Sequence, residues 1–225
     1  MSIDNCSLIT DNCLGTGKGV KVAVIDSGIN LKFPITKSVK KSIGIGYRND
    51  KVYHHRNIND EIGHGTKICD IILSIAPDVE LYIAKIFDKR LIAEMDCLVK
   101  GIEWAINKKV NIINISLGTT STRDLKDLKS ICEEAHEKNI FIVSSLDNRN
   151  KISYPGWFKN VICVYNNGIN RIKKNKNYLV GFGNGYYKYS NSYLAPIISA
   201  YCASFKNSNS NIDIFNYFKG LIIRE

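Results

Sequence analysis

Four residues of this 225-residue chain have side chains suited to acid–base or nucleophilic chemistry and stand at the edges of apolar segments. Asp26 closes the apolar run VKVAVID. His64 stands in Gly63-His64-Gly65-Thr66 and opens HGTKICDIILSI. Asn148 follows the run IFIVSS. Ser192 opens a late apolar stretch in Tyr189-Ser190-Asn191-Ser192-Tyr193-Leu194-Ala195-Pro196. Taken one at a time they are weak signals. A histidine after glycine is commonly a turn residue, and a serine ahead of a helix is commonly its N-cap. Together they say more, because Asp, His and Ser in this chain order match one of the three orders in which a nucleophilic triad is found.

Such a triad needs elements that bring distant residues to one edge. Residues 20–25 predict a buried strand, 64–75 a helix, and 79–87 a second strand. Residues 90–107 place Leu91, Met95, Leu98, Ile102 and Ala105 on one stripe at the helical period. Residues 110–116 predict a strand. Residues 121–138 predict a helix with Leu125, Leu128, Ile131, Cys132 and Ala135 on its apolar face. Strands follow at 139–145 and 161–165. The segment 166–191 is rich in Asn, Gly, Tyr and Lys and predicts loops and short strands. Residues 192–205 predict a helix, and 211–219 a short helical tail. Strands that are apolar throughout and alternate with helices indicate an α/β domain whose mainly parallel sheet is covered on both faces. In such sheets chemistry gathers beyond the carboxyl ends of the strands.

The local wording around the four residues resembles the subtilisin-like serine proteases, the subtilase family. VKVAVIDSGIN is similar to the family's aspartate motif, and GHGT to its histidine motif. NIINISLG is similar to its substrate-binding strand, and IFIVSSLDN lies where its oxyanion asparagine is expected. SNSYLAP resembles its serine motif, usually Gly-Thr-Ser-x-Ala-x-Pro. The resemblance covers roughly residues 17–205. It implies a subtilisin-like three-layer fold over one domain, 1–225, with an N-terminal extension at 1–16 and a short tail at 206–225.

The resemblance also implies roles. Ser192 would be the nucleophile, His64 its base and then the acid for the leaving amine, and Asp26 the group that orients the imidazole. Asn148 and the Ser192 backbone N–H would donate to the oxyanion. Ser116, Leu117 and Gly118 would form the edge on which an extended substrate adds as a strand. Asp147, beside the expected specificity pocket, would favour a basic residue before the scissile bond, with an exposed loop aspartate as the alternative. No metal and no cofactor are expected. HGTKICDIILSIAPDVELYIAKIF leaves no room for the calcium loop common in the family.

The serine motif departs from the pattern. Ser190-Asn191 replaces Gly-Thr, Leu194 replaces Ala, and Ile197 stands where a second histidine is common. Leu146-Asp147 replaces the usual Ala-Gly at the asparagine motif. These changes keep a second class open, an impaired pseudopeptidase that binds a peptide or protein without cutting it.

Composition narrows the setting. Hydrophobic residues at 44% and charged residues at 23% are ordinary for a globular chain and exclude wholesale disorder, collagen-like repeats and coiled coil. No run of about 18 apolar residues predicts a membrane span. The N-terminus has neither a basic n-region nor an apolar h-region, so neither a secretory signal nor a propeptide is expected. Seven cysteines, an odd number without metal-ligand spacing, fit free thiols in a reducing cytoplasm. The net charge of +10 is scattered. It predicts attraction to acidic partners rather than a nucleic-acid interface. The expected partner is a peptide or protein substrate, and by analogy the acidic leader of a precursor peptide. Gly15-Thr-Gly-Lys-Gly19 precedes a strand instead of following one, which sets a phosphate loop aside. Gly181-Phe-Gly-Asn-Gly185 shares that weakness. His54-His55 predicts a polar loop, and His136 the outer side of a helix.

Overall fold

The computed structural model describes residues 15–89, 91–149, 151–166, 179–182 (backbone only) and 190–206. Along the chain lie β1 (Lys21–Asp26), β2 (Val39–Arg48), β3 (Lys51–His55), α1 (His64–Ile75), β4 (Glu80–Lys85) and α2 (Met95–Asn107). They are followed by β5 (Ile112–Ile115), α3 (Leu125–Glu137), β6 (Phe141–Ser145), β7 (Val161–Asn166), β8 (Leu179–Phe182) and α4 (Asn191–Lys206). The strands form one sheet in the order β3-β2-β4-β1-β5-β6-β7-β8, parallel except for the β2–β3 hairpin.

Each inner strand feeds two cores, because successive side chains point to opposite faces. On β1, Val22 and Val24 join the core under α1 and α4, with Ile68, Ile72, Leu194 and Ile198. Ala23 and Ile25 join the core under α2 and α3, with Leu98, Ile102, Leu128 and Cys132. Helices on both faces explain why these strands are apolar throughout. Burying each Val or Ile contributes about 1.5–3 kcal/mol.

The topology places the site. From β1 the chain reaches β4 on one side through α1, then crosses back to β5 on the other side through α2. The carboxyl end of β1, occupied by Asp26, therefore lies where the strand order reverses, the usual crevice of an open α/β sheet.

Three expectations change. The helix predicted from 90 begins at Met95. Leu91 has φ of 53° and is exposed, so it cannot extend a right-handed helix and drops out of the predicted stripe. The helix predicted from 121 begins at Leu125, after Asp124 at φ 53°. The β2–β3 hairpin was not anticipated, and it turns the expected polar loop at His54-His55 into a strand. Its turn residues Asn49 and Asp50 have φ of 51° and 56°. An Asn-Asp pair of that kind is a two-residue hairpin signal that could have revealed it. The helical tail expected at 211–219 lies outside the described residues, as do Cys6 and Cys13.

Candidate active site

Asp26 is fully buried at the end of β1. Two glycines let the start of α1 approach it. Gly28 has φ of 105°, and a Cβ there would run into the Ile58 carbonyl. A Cβ on Gly65 would collide with the Gly28 carbonyl and lie 3.3 Å from the Asp26 Cβ. With both side chains absent, His64 enters as the first residue of α1 and its Nδ1 meets Asp26 Oδ1 at 2.7 Å. The Ser27 N–H donates to the same oxygen at 2.7 Å. A carboxylate oxygen only accepts, so Nδ1 carries the proton and the neutral ring presents Nε2 as a base. Asp26 Oδ2 is buried with no hydrogen-bond partner among the described residues. Its charge is thus left largely to the imidazole.

Burial works against the charged His64 ring. The hydrogen bond and charge of Asp26, with the charge of Asp60, outweigh it and raise the pKa above the ordinary histidine value. The pair with Asp26 thus favours the protonated ring that a general base becomes on taking up a proton.

Asp60 is the organising residue that motif reading missed. It is buried, and its Oδ1 accepts from Ser27 Oγ at 2.9 Å, from the Ile62 N–H at 3.1 Å and from the Gly63 N–H at 2.8 Å. Its Oδ2 accepts from Thr66 N–H at 2.8 Å and Thr66 Oγ1 at 2.6 Å. Ser27 Oγ in turn accepts from the Gly65 N–H at 2.9 Å. One carboxylate thus ties the residue after Asp26 to both flanks of His64. Burial pushes the Asp60 carboxyl up, but the hydrogen bonds from Thr66, Gly63 and Ser27 prevail and hold it below the usual range. An acid four residues before a helix-opening histidine was the available signal, since acids favour helix N-termini.

The second half of the site comes from β6 and α4. Asn148 follows β6 and is exposed, and its Oδ1 accepts from the Asn191 N–H at 3.0 Å. Ser192 is half-buried in the first turn of α4, so the Ser190-Asn191 departure still starts the helix ahead of the serine. The ring of Tyr193 lies 5.4 Å from the His64 ring, which brings the start of α4 beside the imidazole. Among the described residues no hydrogen bond joins Ser192 to His64. Such contacts are commonly long in unliganded sites and tighten around substrate.

Two of the predicted substrate residues, Gly118 and Asp147, meet through Ser153. A Cβ on Gly118 would lie 2.8 Å from Ser153 Oγ, the oxygen that also accepts from the Asp147 N–H at 2.9 Å. Ser116 is buried and accepts from Asn114 Nδ2 at 2.8 Å, while the Leu117 carbonyl accepts from Ser144 Oγ at 3.2 Å. Asp147 Oδ1 accepts from the Arg149 N–H at 2.8 Å and lies 3.4 Å from Arg149 Nε. A cavity of 690 Å³ is lined by residues including Glu61, Lys85, Phe87, Asp88, Ile92 and Glu94.

Other candidates fall outside this site. His136 is exposed on α3. Cys69, Cys97, Cys132, Cys163 and Cys202 are buried free thiols. Burial pushes Cys97 up to about 11 and Cys163 up to about 12, so neither is a ready nucleophile. Among the described residues no three His, Cys, Asp or Glu side chains are grouped to hold a metal ion, and no helix is long and apolar enough to cross a membrane.

Comparison with known proteins points the same way as the geometry. Residues 17–217 match the model of the Subtilase family. The chain is 33% identical to the minor extracellular protease Epr of Bacillus subtilis (strain 168), over 66% of this chain and 23% of that protein. It is 29% identical to the intracellular serine protease of Paenibacillus polymyxa, over 66% of this chain and 49% of that protein. The chain thus spans half or less of the length of these relatives. Among solved structures, the crystal structure of a lanthipeptide protease superposes with a TM-score of 0.69 at 22% identity, covering 90% of this chain and 80% of that one.

Proposed function

This chain belongs to the subtilase family, and from that premise we propose that it is a serine endopeptidase working through an acyl-enzyme on Ser192. The observation that carries the proposal is the buried Asp26 carboxylate held 2.7 Å from His64 Nδ1, at the edge where α4 brings in Ser192. His64 Nε2 takes the Ser192 hydroxyl proton as Oγ attacks the scissile carbonyl. The imidazolium that forms is stabilised by Asp26, whose Oδ1 faces Nδ1 and whose Oδ2 has no hydrogen-bond partner among the described residues. The tetrahedral oxyanion receives Asn148 Nδ2 and the Ser192 N–H, the latter in the positive field of the α4 N-terminus. His64 then passes its proton to the leaving amine, and water enters by the reverse sequence to release the acyl group.

The substrate is a peptide laid along Ser116-Leu117-Gly118, with Ser153 against Gly118 and Asp147 bonded to Ser153. A basic side chain before the scissile bond would have to compete with Arg149 for Asp147. The setting proposed is the cytoplasm, with a narrow processing task. Buried reduced thiols and a +10 chain suit an acidic peptide in a reducing compartment. A solved structure of similar fold being that of a lanthipeptide protease supports leader removal from a precursor peptide.

The second reading, a binding-only pseudopeptidase, is motivated by the Ser190-Asn191 departure from the family's serine motif. A fluorophosphonate probe separates the two. Labelling of the wild type that Ser192→Ala abolishes is the expected result. Folded wild-type protein that takes up no label would overturn the endopeptidase reading.

A further inference from the structure

Asn191 stands where the family pattern has threonine, and it is buried. Its side chain spans two elements. Oδ1 accepts from the Asn166 N–H, at the end of β7, at 2.7 Å. Nδ2 donates to the Asp147 carbonyl at 2.7 Å and more weakly to the Leu146 carbonyl at 3.4 Å. Its backbone N–H donates to Asn148 Oδ1 at 3.0 Å. The amide orientation is unambiguous, since one end faces carbonyls and the other an N–H.

The consequence falls on Asn148. Its Oδ1 is occupied by a backbone donor, so the planar amide turns Nδ2 away from the Asn191 N–H and leaves it as the donor that remains to be offered. Meanwhile the backbone carbonyls of Leu146 and Asp147, the two residues before Asn148, are pinned by Asn191 Nδ2. A threonine hydroxyl ends one atom shorter and has one hydrogen, so it cannot bridge the β6 loop and β7 together. An aspartate would fit in shape but would set a carboxylate oxygen against two carbonyls.

We propose that Asn191 is a positioning residue that fixes the oxyanion donor of Asn148, in place of the shorter hydroxyl residue of the family pattern. The inference rests on Ser192 being the nucleophile. Its effect belongs to the transition state, where negative charge reaches the donor, and hardly to substrate binding.

The test uses Asn191→Asp, Asn191→Thr, Asn148→Ala and the Asn148→Ala/Asn191→Asp pair. Ester hydrolysis and fluorophosphonate inactivation are measured, with hydrogen exchange by mass spectrometry. Asn191→Asp is expected to lower kcat about 10- to 100-fold with KM within about twofold, less than loss of the donor itself. Asn191→Thr is expected to fall between it and the wild type. In the Asn148→Ala background the second substitution is expected to cost less than about twofold, since its route of action is gone. Exchange in peptides covering 146–149 is expected to quicken in Asn191→Asp, with α1 unchanged, which also shows that the variant folds. Full activity in Asn191→Asp, a loss carried by KM, or a loss that multiplies that of Asn148→Ala would overturn the proposal. Should the wild type neither hydrolyse ester nor take the probe, the endopeptidase reading fails, and exchange still decides. Unchanged exchange at 146–149 would sink the positioning role by itself, and quickened exchange would support it.

Discussion

The two halves of the site are built from different chemistry. The half proposed for acid–base work, Asp26, Asp60 and His64, is a cluster of ionisable groups mostly sealed from water. The half proposed to hold the nucleophile and oxyanion donor, Asn148, Asn191 and Ser192, is neutral and held by amide hydrogen bonds. The first sets its geometry through charge, with Asp60 gathering five donors on one carboxylate. The second sets it through complementary donors and acceptors on a loop, a strand end and a helix start. Damage to the Asp26–His64 pair should therefore be large and pH-dependent, and damage to the neutral half smaller and flat with pH.

The sharpest break is Asp26→Asn. It can invert the His64 tautomer by turning an N–H toward Nδ1, and turnover should fall about 10,000-fold. Its second signature is pH. Activity requires neutral His64, whose pKa the site raises, so the acid limb of the wild-type profile should have its midpoint above the ordinary value of about 6.5. Removing the Asp26 charge should move that limb to lower pH. A limb that stays put would break the distinction between the halves.

Asn148→Ala comes next. Losing one oxyanion donor should cost about 100- to 1,000-fold in kcat, with the acid limb unmoved. A pH shift in this variant would show that the neutral half is coupled to the imidazole charge after all.

Asp60→Ala should have the smallest direct effect on the chemistry and act mainly on stability. Five donors lose their acceptor, and leaving the buried ones unpaired should cost about 3 kcal/mol, measured by denaturant unfolding. The Asp60 carboxyl is held below its unfolded value of about 3.9, so its contribution is present above that pH and fades as pH falls through the folded value. The difference between wild type and Asp60→Ala should therefore shrink in acid. A gap that holds constant down to pH 2 would place the effect in packing instead.

The two halves also differ in how far they could be read beforehand. Asp26 and His64 sit in short local motifs, and the helix at 64–75 was legible from its period and matches α1. Asp60 lies only four residues from His64, yet its meaning depends on Ser27, 33 residues away. The Ser190-Asn191 pair read as a defect in the serine motif. In the fold it is a brace, because Asn191 reaches Asp147 and Asn166, 44 and 25 residues away. The β2–β3 hairpin escaped because edge strands mix Lys, Gly and Tyr and lack the continuous apolar run of inner strands. Leu91 misled because its spacing fits a helix that its backbone conformation forbids.

By itself the sequence determined the chemical types at the site, the alternating strands and helices, and the two-sided burial of the sheet. Those properties are local or periodic, set by side-chain identity and by the repeat of 2.0 or 3.6 residues. Only the tertiary structure decided which donor meets which acceptor. Neutral amide hydrogen bonds between remote segments leave no periodic trace, and their partners are chosen by sheet order and by where each strand ends. That is why His64 could be read from the motif around it, whereas the direction in which Asn148 points had to wait for Asn191.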